Sequence, residues 1–358
     1  MHVYAKKWPR AVALMTGLAV LMCATPAAAA VDRPVASPTG GRAYAWQPTP
    51  SATVGTWYSL TGSYSYNSAG GTNFARHDGA GRYTVRFRGI ASAGTVTATA
   101  YGAGSGYCTV AYWVSDGGGG TDAHVNCYTR TGAPADSAFT ISHVNGPIVG
   151  TAAYLWANQP TTANYTPSTT YQYNSAGGWS TIARTGIGSY AVTIPGLTSL
   201  GGDAQVTGYG GNATCRVVNW GPVGGGQRVN VACQSPSGAP ANAYFTLSFI
   251  NRTNILMSGA RGAYLWAEQP STANYVPSTT YSFSKPAGTI TINRSSPGVY
   301  SAHIPAPLSV GTTHVTAYGS GTTRCKVRYW TPQSGIVVNC YLPNGWLADS
   351  RFDLAFTI

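Results

Sequence analysis

"CRVVNWGPVGGGQRVNVAC" occupies residues 215–233. Two alternating stretches, "CRVVNW" and "VNVAC", flank a glycine-rich centre. Alternate residues of a β-strand share a face, so Cys215 and Val217 point one way, and so do Val231 and Cys233. Two such strands meeting core face to core face can close a disulfide. The phrase recurs with the same internal order. Cys-x-Val-x-x-Trp runs from Cys108 to Trp113 and from Cys325 to Trp330, with second cysteines at Cys127 and Cys340. Each copy carries one pair, so the repeat selects Cys108–Cys127, Cys215–Cys233 and Cys325–Cys340 among the possible pairings.

Working outward, more landmarks keep step. "TAYG", "TGYG" and "TAYG" precede the first cysteines, starting at Thr99, Thr207 and Thr316. Gly-x-Tyr precedes them again, at Tyr83, Tyr190 and Tyr300. After the second cysteine the spacing is rigid: glycine five residues on (Gly132, Gly238, Gly345), Asp or Asn nine on (Asp136, Asn242, Asp349), phenylalanine twelve on (Phe139, Phe245, Phe352). "AYLWANQP" at 153–160 and "AYLWAEQP" at 263–270 open two units, and a worn "AYAWQP" at 43–48 opens the first. Strand-type alternation, punctuated by Gly, Pro, Asn and Ser, fills each unit. The expectation is all-β: three tandem β-sandwich domains of about a hundred residues, at 43–145, 153–251 and 263–358, each with one internal disulfide. "GPIVGT" and "RTNILMSGARG" read as short linkers between them.

The first thirty residues read differently. Lys6, Lys7 and Arg10 precede an apolar run, Ala11 to Met22, and then a small-residue site at Ala28-Ala29-Ala30. That order is a secretory signal peptide, with 31–42 a Pro/Gly-rich linker after it. The apolar run is too short to span a membrane. Six cysteines then remain after Cys23, an even count that suits disulfides in an oxidising compartment. The expected location is secreted, extracellular or cell-surface.

Charged residues are 8% of the chain, and Lys+Arg outnumber Asp+Glu by 21 to 9. The arginines are scattered, so a dense nucleic-acid patch is not expected. A diffuse positive balance suits polysaccharide or an anionic cell-wall polymer. The recurring aromatics, Trp46, Trp156, Trp266, Trp113, Trp220 and Trp330 among them, read as core or core rim. Trp57, Trp179 and Trp346 do not recur and fall in apparent loops, which makes them candidate stacking groups for a ligand. Arg76, Arg184 and Arg294 recur before the Gly-x-Tyr strand, either as partners of the residue nine after the cysteine or as ligand contacts.

Signals for catalysis and metals are weak. No Gly-x-Ser-x-Gly occurs, the one glutamate (Glu268) is Asn158 in the second unit, and the histidines do not recur. "DGGGGTDAH" at 116–124 is the best local set of ligand types, but glycine runs also simply make loops. No catalytic residue, metal or cofactor is assigned.

The units resemble tandem-repeat proteins predicted to be exported by actinobacteria, on the pattern Ala-Tyr-Gly, Cys-x-Val-x-x-Trp, Val-x-Val-x-Cys, Asp-Ser-x-Phe. The likeness is fullest in the third unit, with Asp349, Ser350 and Phe352, and the second departs at Asn242-Ala243. It implies export and repeat architecture and brings no catalytic residues. Three functions follow as expectations. The first is a multivalent, non-catalytic binder of extracellular glycan or cell-surface polymer. The second is a structural surface or coat protein. The third is a hydrolase or inhibitor using the loops of one unit.

Overall fold

Residues 41–146 and 148–358, and Met1, are described in the computed structural model. The expected signal peptide at 1–30 and the expected linker at 31–42 lie outside the described residues, apart from Met1, Gly41 and Arg42. The described chain is almost wholly β, and its three disulfides are those that the repeat selects.

Each repeat is a β-sandwich of nine strands, some of them only two to four residues long. In repeat 1 an inner sheet holds Gly41–Gln47, Ser65–Asn67, Thr95–Tyr101 and Ala138–Asn145. An outer sheet holds Trp57–Leu60, Asn73–Gly79, Arg82–Phe87, Tyr107–Ser115 and Thr121–Tyr128. Val96, Ala98 and Ala100, two residues apart, pack with Phe139 and Ile141 against Tyr83, Val85, Phe87, Val110 and Val125 of the outer sheet. Each cysteine pair faces itself across neighbouring outer strands, Cα atoms 4.0 Å apart.

The sheets do not stop at the repeat boundaries. Tyr107–Ser115 of repeat 1 pairs in parallel with Asp203–Tyr209 of repeat 2. Thr214–Val223 of repeat 2 does the same with Thr312–Tyr318 of repeat 3. Arg324–Thr331 of repeat 3 then closes on Thr95–Tyr101 of repeat 1. Each nine-stranded sheet is thus the outer sheet of one repeat continued by the inner sheet of the next, and the three form a ring. Closure removes the inner sheet edges that a lone repeat would leave open to other chains.

Ring closure explains the recurring residues. The three central strands, beginning at Thr95, Asp203 and Thr312, are buried on both faces. One face enters a sandwich core and the other faces the common axis. There Thr207 Oγ1 accepts from Ala98 N (3.3 Å), Thr316 Oγ1 from Val206 N (3.1 Å) and Thr99 Oγ1 from Val315 N (3.3 Å). Each "TxYG" threonine reaches one repeat back around the ring. The tryptophans sit at the seams: Trp46 meets Trp330, Trp156 meets Trp113, and Trp266 meets Trp220, each pair 6.2 Å apart. Two tyrosines complete each cluster, as Tyr171 and Tyr209 do around Trp156. Edge-to-face aromatic contacts of this kind add about 0.5–1.5 kcal/mol per pair beyond area burial. The AYxW stretch that opens each unit and the Cys-x-Val-x-x-Trp stretch of its neighbour therefore build the joint between repeats.

Two details depart from the sequence reading. "AYAWQP" aligns without a gap to "AYLWANQP", so Pro50, not Pro48, stands in the place of Pro160 and Pro270. The hydroxyls of Tyr83, Tyr190 and Tyr300 donate to the carbonyls of those three prolines (2.8, 3.0 and 2.9 Å). The second segment, 252–262, also does more than link. Ile255, Leu256 and Met257 are buried in a fourth core among Tyr44, Tyr154 and Tyr264. Arg42 Nε holds the Leu256 carbonyl at 2.8 Å. Burial of three such side chains contributes about 1.5–3 kcal/mol each, so this segment plugs the ring.

Candidate ligand-binding face

The sequence-assigned arginines separate once the register is known. Arg184 pairs with Tyr190 and Arg294 with Tyr300, but Tyr83 pairs with His77. His77 is therefore the counterpart of Arg184 and Arg294, and Arg76 lies one residue off, on the opposite face of its strand. The three counterparts share one task. His77 Nε2 contacts Asp136 Oδ1 (3.1 Å), Arg184 Nε donates to Asn242 Oδ1 (3.0 Å), and Arg294 makes a two-pronged ion pair with Asp349 (2.9 and 2.7 Å). Each of those oxygens also accepts the backbone N–H of the turn glycine: Gly81 (2.7 Å), Gly188 (2.9 Å) or Gly298 (2.9 Å). These glycines have φ of 66°, 65° and 70°, a conformation that side chains disfavour. An amide oxygen serves that N–H as well as a carboxylate, which accounts for Asn242. Arg184 and Arg294 thus staple a turn.

Arg76 instead belongs to a row across the outer sheet of repeat 1. Trp57, Arg76, Thr84, His124 and Tyr112 are cross-strand neighbours on five successive strands. At the usual strand spacing the row is about 19 Å long. Trp57 lies on a strand, not in a loop, and is partly exposed. The guanidinium carbons of Arg76 and Arg86 stand 4.7 and 4.4 Å from its ring centroid. Arg76 bonds Asp78, and Arg86 forms a fork with Asp122 at 2.7 Å on both prongs. At the far end Tyr112, 46% exposed, stacks on His124 at 4.0 Å and 20°. Burial lowers the His124 pKa, against the pull of Asp78 and Asp122. The imidazole is then neutral at neutral pH and offers a flat face.

The same row differs in the other repeats. Repeat 2 has Asn164, Ala183, Ala191, Asn230 and Asn219 there. Repeat 3 has Asn274, Asn293, Ser301, Val337 and Tyr329. Only repeat 1 combines an aromatic at each end with fixed charged groups between them. The groove between Tyr112, His124, Arg76 and Asp78 encloses about 370 Å³.

The hydrogen-bond order speaks to chemistry. Thr84 Oγ1 contacts both Asp78 Oδ2 and His124 Nδ1. A carboxylate only accepts, so the threonine's single proton goes to Asp78 and His124 Nδ1–H donates to Thr84. A base set to activate Thr84 would need the reverse order. In the glycine-rich hairpin, Asp116 Oδ1 accepts from Gly118 N and Gly120 N (2.8 and 2.7 Å), and Asp122 is held by Arg86. Among the described residues no three His, Cys, Asp or Glu side chains are grouped to hold a metal ion.

The other two sequence-assigned tryptophans lie elsewhere. Trp179 is half-buried in the loop before Thr181–Gly186 of repeat 2. Trp346 is 73% exposed on the Leu342–Trp346 hairpin of repeat 3. The structure brings Trp57 and Arg76 together and leaves Trp179, Trp346, Arg184 and Arg294 apart from them. Thr84, Tyr112, Arg86 and Asp78 escaped the sequence reading, and His124 entered it only within the glycine-rich stretch at 116–124. Their signal was mismatch between repeats on alternate residues, visible only once the register is known. No family model, curated protein or solved structure matches the chain. Among the described residues no helix is long and apolar enough to cross a membrane, and the three disulfides fit an oxidising compartment.

Proposed function

We propose that this is a secreted, non-catalytic binding protein for extracellular glycan or cell-surface polymer, with the outer sheet of repeat 1 as its binding face. One observation carries the reading: the Trp57–Tyr112 row exists in repeat 1, while repeats 2 and 3 hold small or uncharged residues at the same positions. Flat rings at the two ends of a polar strip suit a sugar chain, whose rings stack on aromatics and whose hydroxyls bond charged side chains. The residues common to all repeats serve seams and turns, which favours one binding face over three equal ones. The leader at 1–30 and the likeness to exported actinobacterial repeat proteins support location outside the cell. A surface or coat protein without a ligand is the competing reading, supported by the closed ring.

The test is retention of the full chain, without 1–30, on insoluble polysaccharides and whole cell walls, at low and high salt. Trp57→Ala/Tyr112→Ala is expected to lose about tenfold in affinity, or about 1.4 kcal/mol, with its melting temperature little changed. Retention driven by stacking persists at high salt. Equal retention of variant and parent on every matrix would remove repeat 1 as the binding face. No retention of the parent at low salt would favour the coat reading.

A further inference from the structure

The ring has a second unusual place, on its axis. The residues beside the first cysteine of each repeat converge there: Tyr107 and Thr109, Thr214 and Arg216, Arg324 and Lys326. They line a cavity of about 70 Å³ with the three axial threonines Thr99, Thr207 and Thr316. That is several times the volume one water needs. Among the described residues no Asp or Glu lines it, yet three cations do.

The two arginines are held in place without being neutralised. Arg216 donates to Gly319 O (2.9 Å), Ser320 O (3.2 Å) and Gln234 Oε1 (2.6 Å). Arg324 donates to Thr214 Oγ1 (3.2 Å), Arg130 O (3.3 Å), Ser235 O (3.2 Å) and Pro236 O, and lies over the Tyr107 ring at 4.6 Å. These acceptors are carbonyls, an amide and a hydroxyl, so both positive charges remain. Lys326 breaks the pattern of its position. Thr109 donates to Gly211 O of the next repeat (2.9 Å), and Arg216 repeats that contact one step round the ring, to Ser320 O (3.2 Å). The Lys326 ammonium makes no hydrogen bond among the described residues, although the residue is only 5% exposed. Taking charges out of water without an opposite partner is costly, and burial accordingly lowers the pKa of Arg216, Arg324 and Lys326. An anion among them would relieve all three.

From this convergence of Arg216, Arg324 and Lys326 on an acid-free axial cavity we infer that the ring holds a small tetrahedral oxyanion, a phosphate or sulfate group. The cavity is too small for a sugar ring with its substituents, whereas a compact anion fits the point charge of Lys326 and the remaining guanidinium N–H groups. Hairpins of the three repeats flank the cavity: Arg130 and Pro236 offer their carbonyls to Arg324, and Gly345 lies against Arg130 and Ser105. Exposed Trp346 follows Gly345, so the hairpin that flanks the cavity also carries an aromatic ring. The oxyanion is therefore either a free ion or the end group of a phosphate-bearing polymer.

The probe is inorganic phosphate, with sulfate beside it and chloride at matched ionic strength as the control. The full chain without 1–30 is expected to melt at higher temperature in phosphate and sulfate than in chloride, and calorimetry is expected to show one site per chain. Lys326→Met is expected to bind about tenfold more weakly and to melt no lower than the parent in chloride, since an unpaired buried charge is gone. Lys326→Arg is expected to keep the response. A glycerol-phosphate polymer that binds and is displaced by inorganic phosphate identifies an end group. Phosphate binding with no polymer binding identifies the free ion. Equal melting of the parent in phosphate and chloride overturns the site, a result that needs no variant. So does an undiminished phosphate response in Lys326→Met. Neither outcome touches the repeat 1 face, which is read through Trp57 and Tyr112.

Discussion

Asp353 is where the threefold pattern breaks at the scale of one residue. Its counterparts are Thr140 and Thr246, whose hydroxyls donate to Thr313 O (2.7 Å) and Val96 O (2.8 Å) across the axis. Asp353 is fully buried, and neither carboxyl oxygen has a hydrogen-bond partner among the described residues. Burial, helped by the nearby Asp203, pushes its pKa well above the ordinary carboxylate value. The group is then neutral over the acid range. A folded-state pKa above the unfolded value means that the stability contribution is full below the unfolded pKa and is lost as pH rises through the folded one. Asp353→Thr is therefore expected to stabilise the fold by about 1–3 kcal/mol near pH 8, with the gain shrinking at about pH 4.5. His143 and His314, pushed down by burial to about 4 and about 3, lose stability as pH falls below the free histidine value. They do so in both proteins, so the difference between the two removes them and reports Asp353 together with its buried neighbour Asp203, itself pushed up to about 7 by burial. Urea unfolding at the two pH values measures it, and a gain independent of pH would contradict a neutral Asp353. Residue identity alone did not reveal this, because Asp next to Phe reads as a surface position until the strand is seen to be covered on both sides.

At the scale of elements, the Gly-x-Tyr hairpin is the best-specified unit. In all three repeats its turn glycine donates to the side chain nine residues after the second cysteine, and its tyrosine hydroxyl accepts from the backbone N–H of the residue after that. Tyr190 is fully buried, its hydroxyl donating to Pro160 O at 3.0 Å and accepting from Ala243 N at 3.1 Å. Tyr190→Phe leaves both backbone groups unpaired. It is expected to cost about 1–3 kcal/mol, read as a lower midpoint in denaturant. An unchanged midpoint would mean that water replaces the hydroxyl at no cost. Rigid spacing made this element legible in the sequence. The register of its first strand was not, and a one-residue slip between Arg76 and His77 moved a candidate from the turn staple to the outer face. A side-chain period of two makes such a slip decisive.

At the scale of the whole molecule, the repeats are covalently tandem but structurally cyclic. Each lends its outer sheet to the inner sheet of the next, so none has a complete set of strand partners alone. The full chain is expected to unfold in a single cooperative transition, with calorimetric and van't Hoff enthalpies in agreement. A chain ending at Asn251 is expected to aggregate, because it leaves the Thr214–Val223 and Thr95–Tyr101 edges unpaired. Separate transitions for separate repeats would show that the seams contribute little. The three disulfides act within repeats, each closing a short loop for about 3 kcal/mol, and do not themselves hold the ring shut.

The sequence by itself determined the all-β sandwich class, the three repeats and the three disulfides. Those depend on local alternation, on spacing within a unit and on cysteine parity, all of which survive without knowledge of contacts. Only the tertiary structure decided that the repeats close into a ring, that the recurring tryptophans are its seams, that Ile255, Leu256 and Met257 plug it, and that Trp57, His124 and Tyr112 share a face. Those facts depend on which strand edge meets which, across separations of about a hundred residues or more. An unpaired backbone edge looks the same in sequence whatever comes to cover it.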